Sequence, residues 1–247
     1  MIKSASIRLP NWSLPHGVTA FYTTRKGGVS SGDFGTFNLG AHVGDEKTAV
    51  IENRSRLPHA DNIHWLEQTH SNVAIELPAK CHLADASFTH QHGQACAVMT
   101  ADCVPILLTD RHASTIAAVH AGLQGLRTRI IEHSVNAAFA NSMAGDILAW
   151  IGPHIRACHY EVSAQDSREF RHIPNAIKTA QMADKVMLNL EVIARKQLEE
   201  LGIHSISSSA DCTYCDEENY FSYRRARHHG QSNCGRMVSA IMLLDKS

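Results

Sequence analysis

No stretch of this sequence approaches the roughly 18 consecutive apolar residues that a membrane-crossing helix requires, so an integral membrane protein is not expected. Charge of one sign is also missing. The chain carries 23 Lys and Arg against 24 Asp and Glu, a formal net charge of −1. No strong overall field therefore draws it to nucleic acid or to an anionic membrane surface. There is no repeat of fixed period and no low-complexity linker, which excludes solenoid, collagen-like and coiled-coil architectures. The opening segment Met1-Ile2-Lys3-Ser4-Ala5-Ser6-Ile7-Arg8-Leu9-Pro10 lacks an apolar stretch of signal-peptide type, so no secretion signal is read there.

What the sequence does hold is a core and a surplus of histidine. Of 247 residues, 44% are hydrophobic, which suits one sizeable core, and the chain reads as a single domain over 1–247. Seventeen histidines stand out in an otherwise ordinary composition. Seven cysteines, an odd number without secretion signals, read as reduced thiols of a cytoplasmic protein, some of them metal-binding or catalytic.

Hydrophobic patterning predicts strands at 17–23, 73–77, 95–99, 104–109, 114–120 and 147–151. Helices are predicted at 46–57, ended by Pro58, at 126–141, and at 190–201 between an Asn189 N-cap and Gly202. The apolar run 237–244 suits a buried strand or a packed helix equally. Strands and helices do not alternate strictly, so the expected class is α/β or α+β, a layered sandwich with a mixed sheet rather than a Rossmann repeat.

The most informative region is Thr100-Ala101-Asp102-Cys103-Val104-Pro105, followed by Ile116-Ala117-Ala118-Val119-His120-Ala121-Gly122. Cys103 opens one apolar run and His120 closes the next, so two neighbouring strands can bring both to one sheet edge. Upstream, Glu67-Gln68-Thr69-His70 offers a second histidine before a strand. His, Cys and His are ligand types that zinc prefers, and three protein ligands leave a fourth position open for water or substrate. A buried cysteine that is only packing, beside unrelated histidines, is the competing reading.

These blocks resemble the YfiH-type family, long labelled the laccase domain or polyphenol oxidase family. The resemblance also runs through Thr24-Arg25-Lys26-Gly27-Gly28-Val29-Ser30, Phe37-Asn38-Leu39-Gly40, His42-Val43-Gly44-Asp45 and Glu52-Asn53-Arg54. Further matches are Ile151-Gly152-Pro153, Phe221-Ser222-Tyr223-Arg224-Arg225 and Gly235-Arg236-Met237. It implies a zinc-associated purine nucleoside phosphorylase with adenosine deaminase activity, whose metal and catalytic residues map onto His70, Cys103 and His120. Zinc is the implied metal, with copper a lesser alternative. The implied partners are a purine nucleoside and phosphate, without nucleic acid or membrane, for a monomer or homodimer. Asn38, Arg54, Asp102 and Gly122 are the candidate substrate-binding residues. Asp102 is equally open to a role in orienting a ligand, moving a proton or capping a turn.

One departure bears on phosphate. After His-Ala-Gly the family commonly has Trp-Arg, whereas this chain has Leu123-Gln124, which removes a planar, bidentate cation from that place. Arg25, Lys26 or Arg54 are candidate replacements. The glycine-rich segment 27–35 offers backbone N–H groups to an anion but reads equally as a turn. Gly122 and Gly125 before a helix suit an anion better.

Three other patterns carry less. His159-Tyr160-Glu161 with Cys212-Thr213-Tyr214-Cys215 imitates a zinc-deaminase signature, but Asp211 stands where that signature has proline. The Cys212–Cys215 pair also lacks the second ligand pair of a zinc ribbon. His90-Gln91-His92 is the one H-x-H pair, too few for multicopper chemistry. Two further functional classes compete with the purine enzyme. One is a Cys/His hydrolase of amides or esters, for example on peptidoglycan precursors, with Cys103 as nucleophile and His120 as base. The other is a non-enzymatic metal protein, in which His42 or His154 closes the site as a fourth ligand.

Overall fold

The computed structural model describes residues 6–245. The first five positions of the N-terminal segment, and the last two of the single domain expected over 1–247, lie outside the described residues. In chain order the elements are β1 (Ile7–Arg8), β2 (Val18–Thr23), α1 (Lys47–Ser55), β3 (Ile63–His64), β4 (Ala74–Glu76), β5 (Ala86–Thr89) and β6 (Ala95–Thr100). There follow β7 (Val104–Asp110), β8 (Ile116–Ala121), α2 (Leu123–Arg127), α3 (Ile130–Ala138), β9 (Ile147–Ile151), β10 (Glu161–Ser163) and β11 (Ile177–Thr179). The chain ends through β12 (Lys185–Leu188), α4 (Leu190–Glu200), β13 (Ser205–Ser208), α5 (Tyr223–His228) and β14 (Met237–Leu243).

Two large sheets stack face to face, in the orders β1-β2-β14-β6-β3 and β13-β9-β7-β8-β5-β4; β10, β12 and β11 form a small third sheet. The β3–β6, β4–β5 and β9–β13 pairings are parallel and the others antiparallel, which is the mixed arrangement expected. Alternation along the strands explains the layers. In β7, Val104, Ile106 and Leu108 pack towards α3 and α4, whereas Leu107 enters the core between the sheets. There Trp150 of β9 meets Tyr22 of β2, ring centroids 5.2 Å apart. The outer face of the five-stranded sheet is covered by Phe37, Leu39 and Leu57.

The sequence runs match these strands closely, and 237–244 resolves as a strand because both of its faces are covered. The helix expected over 126–141 is instead two helices. Arg129, at φ +62°, takes the left-handed conformation between them, and the Thr128 side chain caps the first by donating to the Gln124 carbonyl at 3.0 Å. β6 belongs to one sheet and β7 to the other, so the chain crosses the sandwich in the turn at 101–103. Asp102, at φ +96°, makes that crossing sharp.

Candidate active site

The crossing turn delivers Cys103 to the rim of the six-stranded sheet. Pro105 pairs with His120 in the β7–β8 register, so Cys103 and His120 project from one face of adjacent strands. His70 arrives from the β3–β4 loop, held at φ +61°. Gln68 fixes that loop through both of its amide ends: Nε2 donates to the Met99 carbonyl at 2.9 Å and Oε1 accepts from Met99 N–H at 2.8 Å. One ligand atom from each of His70, Cys103 and His120 lies within 4.8 Å of the others, and Cys103 Sγ stands 3.8 Å from His70 Nε2.

A residue that sequence reasoning missed organises this trio. Asp85 is fully buried just before β5. Its carboxylate accepts backbone N–H groups from Thr69, His70 and Ser71, the Ser71 hydroxyl, and His120 Nδ1 at 2.8 Å. Burial alone would raise its pKa, but the donors from His120 and Ser71 overcome that and hold the carboxyl ionised, well below the usual range. Nδ1 of His120 therefore keeps a proton for Asp85, and Nε2 is the ring nitrogen turned towards the cavity. A lone aspartate in Leu83-Ala84-Asp85-Ala86 gave no motif to read; only the buried setting between two apolar runs hints at it.

The site is electrostatically poised. Burial pushes the Cys103 thiol up, but the neighbouring His120 and His70 bring it down to about 6. Burial lowers His120, yet the Cys103 thiolate and Asp85 raise it to about 9. Gly122 lies against the pair: a Cβ there would stand 2.8 Å from Cys103 Sγ and 3.1 Å from His70 Cδ2. Two imidazoles and a thiolate, oriented by a buried carboxylate and open on one side, are a donor set suited to zinc. Among the described residues no fourth Cys, His, Asp or Glu joins them. His154 is buried elsewhere, with Nδ1 donating to the Gly152 carbonyl. His42 lines the cavity without entering the donor group.

That cavity, about 540 Å³, opens over the trio and carries Arg224 and Arg227 of α5, Arg236, Tyr160 and Tyr223 on its wall. The three guanidiniums have no carboxylate partner among the described residues. Arg224 Nη1 donates to the Glu161 carbonyl at 2.7 Å, and Arg236 Nη1 donates to the Cys234 carbonyl at 2.7 Å. Burial, reinforced by the Cys103 thiolate, pushes the Tyr160 hydroxyl far up, so it remains a hydrogen-bond donor.

The remaining candidates are placed differently. Asn38 is fully buried and knits Gly40, Asp45 and Arg236 together, outside the cavity lining. Arg54 lies 3.6 Å over the Trp65 ring, with Nε on the Leu39 carbonyl, also outside it. Asp102 borders the cavity, but its carboxylate accepts from Thr213 Oγ1 and from Arg224 N–H, both at 2.7 Å, and so fastens the crossing turn to the start of α5. Neither Asn38 nor Arg54 lines this cavity; the Asn38 amide is engaged inside the fold, and Arg54 holds the Leu39 carbonyl through Nε. The glycine-rich loop is likewise closed on itself: Gly28 N–H donates to Thr36 Oγ1, Val29 N–H to Asn53 Oδ1, and Arg25 binds the Gly35 carbonyl. Lys26 pairs with Glu218. Leu123 and Gln124, in the first turn of α2, are not in the cavity lining.

The two-sheet sandwich with an open Cys/His donor trio defines a distinct class of fold and site. A model described as multi-copper polyphenol oxidoreductase laccase matches residues 19–244, and the chain belongs to that family. It is 40% identical over 245 residues to purine nucleoside phosphorylase YfiH of Shigella flexneri, covering 96% of this chain and 98% of that protein. It is 39% identical to a purine nucleoside phosphorylase of Haemophilus influenzae, over 94% of this chain and 97% of the relative. Among solved structures, a Neisseria meningitidis protein superposes with TM-score 0.88 at 32% identity, covering 97% of this chain and all of that one. The YfiH protein of Bacillus licheniformis gives 0.86 at 28% identity, with 98% of each covered. Neither donor group among the described residues holds more than two histidines, fewer than multicopper chemistry gathers. His90 and His92 line a separate cavity, where their Nδ1 atoms contact Thr115 Oγ1 and the Leu244 carbonyl. No described helix is long and apolar enough to cross a membrane.

Proposed function

We propose that this chain is a zinc-dependent purine nucleoside phosphorylase that also deaminates adenosine, with His70, Cys103 and His120 as the metal and catalytic residues. The observation that carries the reading is the pairing of an open Cys/His donor set with three guanidiniums, free of carboxylates, on the wall of one cavity. The names of the relatives support it. His70, Cys103 and His120 Nε2 would hold the ion, which when bound supplies Lewis-acid stabilisation of developing negative charge at its open position.

The chain's own groups supply the rest. Arg224, Arg227 and Arg236 bind and orient inorganic phosphate, replacing the arginine absent at position 124. In phosphorolysis the phosphate oxygen attacks the ribose anomeric carbon as the bond to the purine breaks, through an oxocarbenium-like state. Holding both reactants in one cavity lowers the entropic part of that barrier. Tyr160, kept protonated, donates a hydrogen bond to substrate. In deamination, water replaces the exocyclic amine of adenosine, which leaves as ammonia.

The test is incubation of the full chain with adenosine, inosine and phosphate, with products resolved by chromatography. Free base with ribose-1-phosphate, and inosine from adenosine, are expected from the wild type and not from Cys103→Ala. Absence of both products from the wild type refutes the purine reading.

One observation favours a second reading. A thiol brought to about 6 beside an imidazole raised to about 9 is an ion pair of the kind a Cys/His hydrolase uses. Chelation separates the two readings. Metal-free protein that keeps full activity supports the hydrolase, and activity lost on chelation and restored by zinc supports the purine enzyme.

A further inference from the structure

A second cluster of soft donors lies outside this cavity. Cys158 and His159 sit in the loop between β9 and β10; Cys212 and Cys215 sit in the loop between β13 and α5. One ligand atom from each of the four lies within 4.8 Å of all the others. Cys158 Sγ is 3.7 Å from Cys212 Sγ and 3.5 Å from Cys215 Sγ, and Cys215 Sγ is 3.2 Å from His159 Nδ1. We infer that Cys158, His159, Cys212 and Cys215 form a closed, four-ligand structural site for a thiophilic divalent cation, namely zinc.

The distances suit an ion at the centre of the cluster. With zinc–sulfur bonds of about 2.3 Å, the edges of a tetrahedral site are about 3.8 Å between sulfurs and about 3.5 Å between sulfur and imidazole nitrogen. The observed separations lie near those edges and far beyond the roughly 2.05 Å of a disulfide. Three thiols are also an odd number: any disulfide would strand one cysteine and leave the imidazole without purpose. The C-x-x-C spacing of 212–215 is that of a zinc knuckle, and the second pair that the sequence did not reveal is the adjacent Cys158-His159, more than fifty positions upstream.

The surroundings orient the donors. The backbone N–H of Arg156 donates to Cys212 Sγ at 3.4 Å, and that of Cys215 also donates to it. The His159 ring stacks on Tyr214, centroids 4.1 Å apart and 14° from parallel, and Tyr214 Oη bonds His228 Nδ1 at 2.9 Å. Buried Arg225 fixes the knuckle backbone by donating from Nη1 to the Thr213 and Tyr214 carbonyls at 2.6 and 2.8 Å. Such supports fix ring orientation and ligand basicity at metal sites. With four protein ligands the site has no open position for substrate, so its role is to clamp two loops. Those loops carry Thr213, which binds Asp102, and Tyr160, which lines the first cavity. The ion braces the cavity wall. This inference does not rest on the purine reading.

The test uses the full-length double variant His70→Ala/Cys103→Ala, which removes the first donor set. Purified under reducing conditions and loaded with zinc or cobalt, it should retain one equivalent of metal per chain after gel filtration. Cobalt should show thiolate charge-transfer absorption and the visible bands of tetrahedral coordination. Adding Cys158→Ser or Cys215→Ser, each at an exposed position, should abolish that equivalent while far-ultraviolet circular dichroism stays unchanged. Zinc added to the metal-free double variant should raise its Tm. No retained metal in the double variant, metal unaffected by the serine substitutions, or no rise in Tm would each overturn the site.

Discussion

Asp85 and His120 are joined twice: the carboxylate accepts His120 Nδ1–H at 2.8 Å, and the Asp85 backbone carbonyl accepts the His120 backbone N–H at 2.8 Å. The second bond fixes where the imidazole starts and the first fixes which nitrogen faces the cavity. Asp85→Asn keeps the backbone bond and removes the charge. Metal affinity at the trio should fall by about 10–100-fold, as for other losses of a carboxylate behind a histidine ligand. Competitive titration with a chelating dye measures it; affinity within twofold of wild type would remove Asp85 from this role.

Between about pH 6 and about pH 9 the metal-free site is a thiolate beside an imidazolium. A metal ion must displace the proton of His120 but finds Cys103 already deprotonated. Binding in that window should release one proton, and log affinity should rise by about one per pH unit. Above pH 9 the slope should flatten, because both ligands are then free of protons; below pH 6 it should steepen, because Cys103 must also lose one. Calorimetry in buffers of different ionisation enthalpy counts the protons. Release of two at pH 7.5 would show that the ion pair does not exist.

In the proposed function the arginine wall serves phosphorolysis and not deamination. Phosphorolysis consumes phosphate and deamination does not. Arg224→Ala and Arg227→Ala should each raise KM for phosphate by about tenfold, the equivalent of one charged hydrogen bond, and leave the deamination rate near wild type. Gln124→Arg should leave the phosphate KM unchanged, because position 124 is outside the cavity lining. Initial rates at varied phosphate decide it.

Gly122→Ala tests close approach without backbone strain, since φ at this position is an ordinary −75°. The added methyl would meet Cys103 Sγ at 2.8 Å. Metal content and turnover should drop while the circular dichroism spectrum persists. Full metal content would show that the thiol has room to retreat.

The elements legible from sequence were those whose signals are local. The strand at Ile147–Ile151 is a continuous apolar run, and α4 is bracketed by Asn189, whose side chain accepts from Val192 N–H, and by Gly202 at φ +79°. β5, Ala-Ser-Phe-Thr, carries no such mark; it is a strand because it lies between β4 and β8 and is buried on both faces. The site divides in the same way. His70, Cys103 and His120 sit in distinctive blocks, whereas Asp85 acquires its role only when the 69–71 backbone folds over it. The pairing of Cys158-His159 with Cys212–Cys215 depends on a tertiary contact, the bridge between His154 and Cys212.

The turn at 101–103 passes from one sheet to the other, and its neighbours tie the trio to both. Gln68 binds His70's loop to β6, while Cys103 immediately precedes β7 and His120 belongs to β8. The ligand triangle is therefore a gauge of how the two sheets sit on each other. Truncating a residue deep between them, such as Leu107→Ala, costs about 2–5 kcal/mol of stability and should also loosen metal binding in protein that is still folded. Selection for activity at this rim thus extends to the packing of the whole interior, including side chains that never approach substrate.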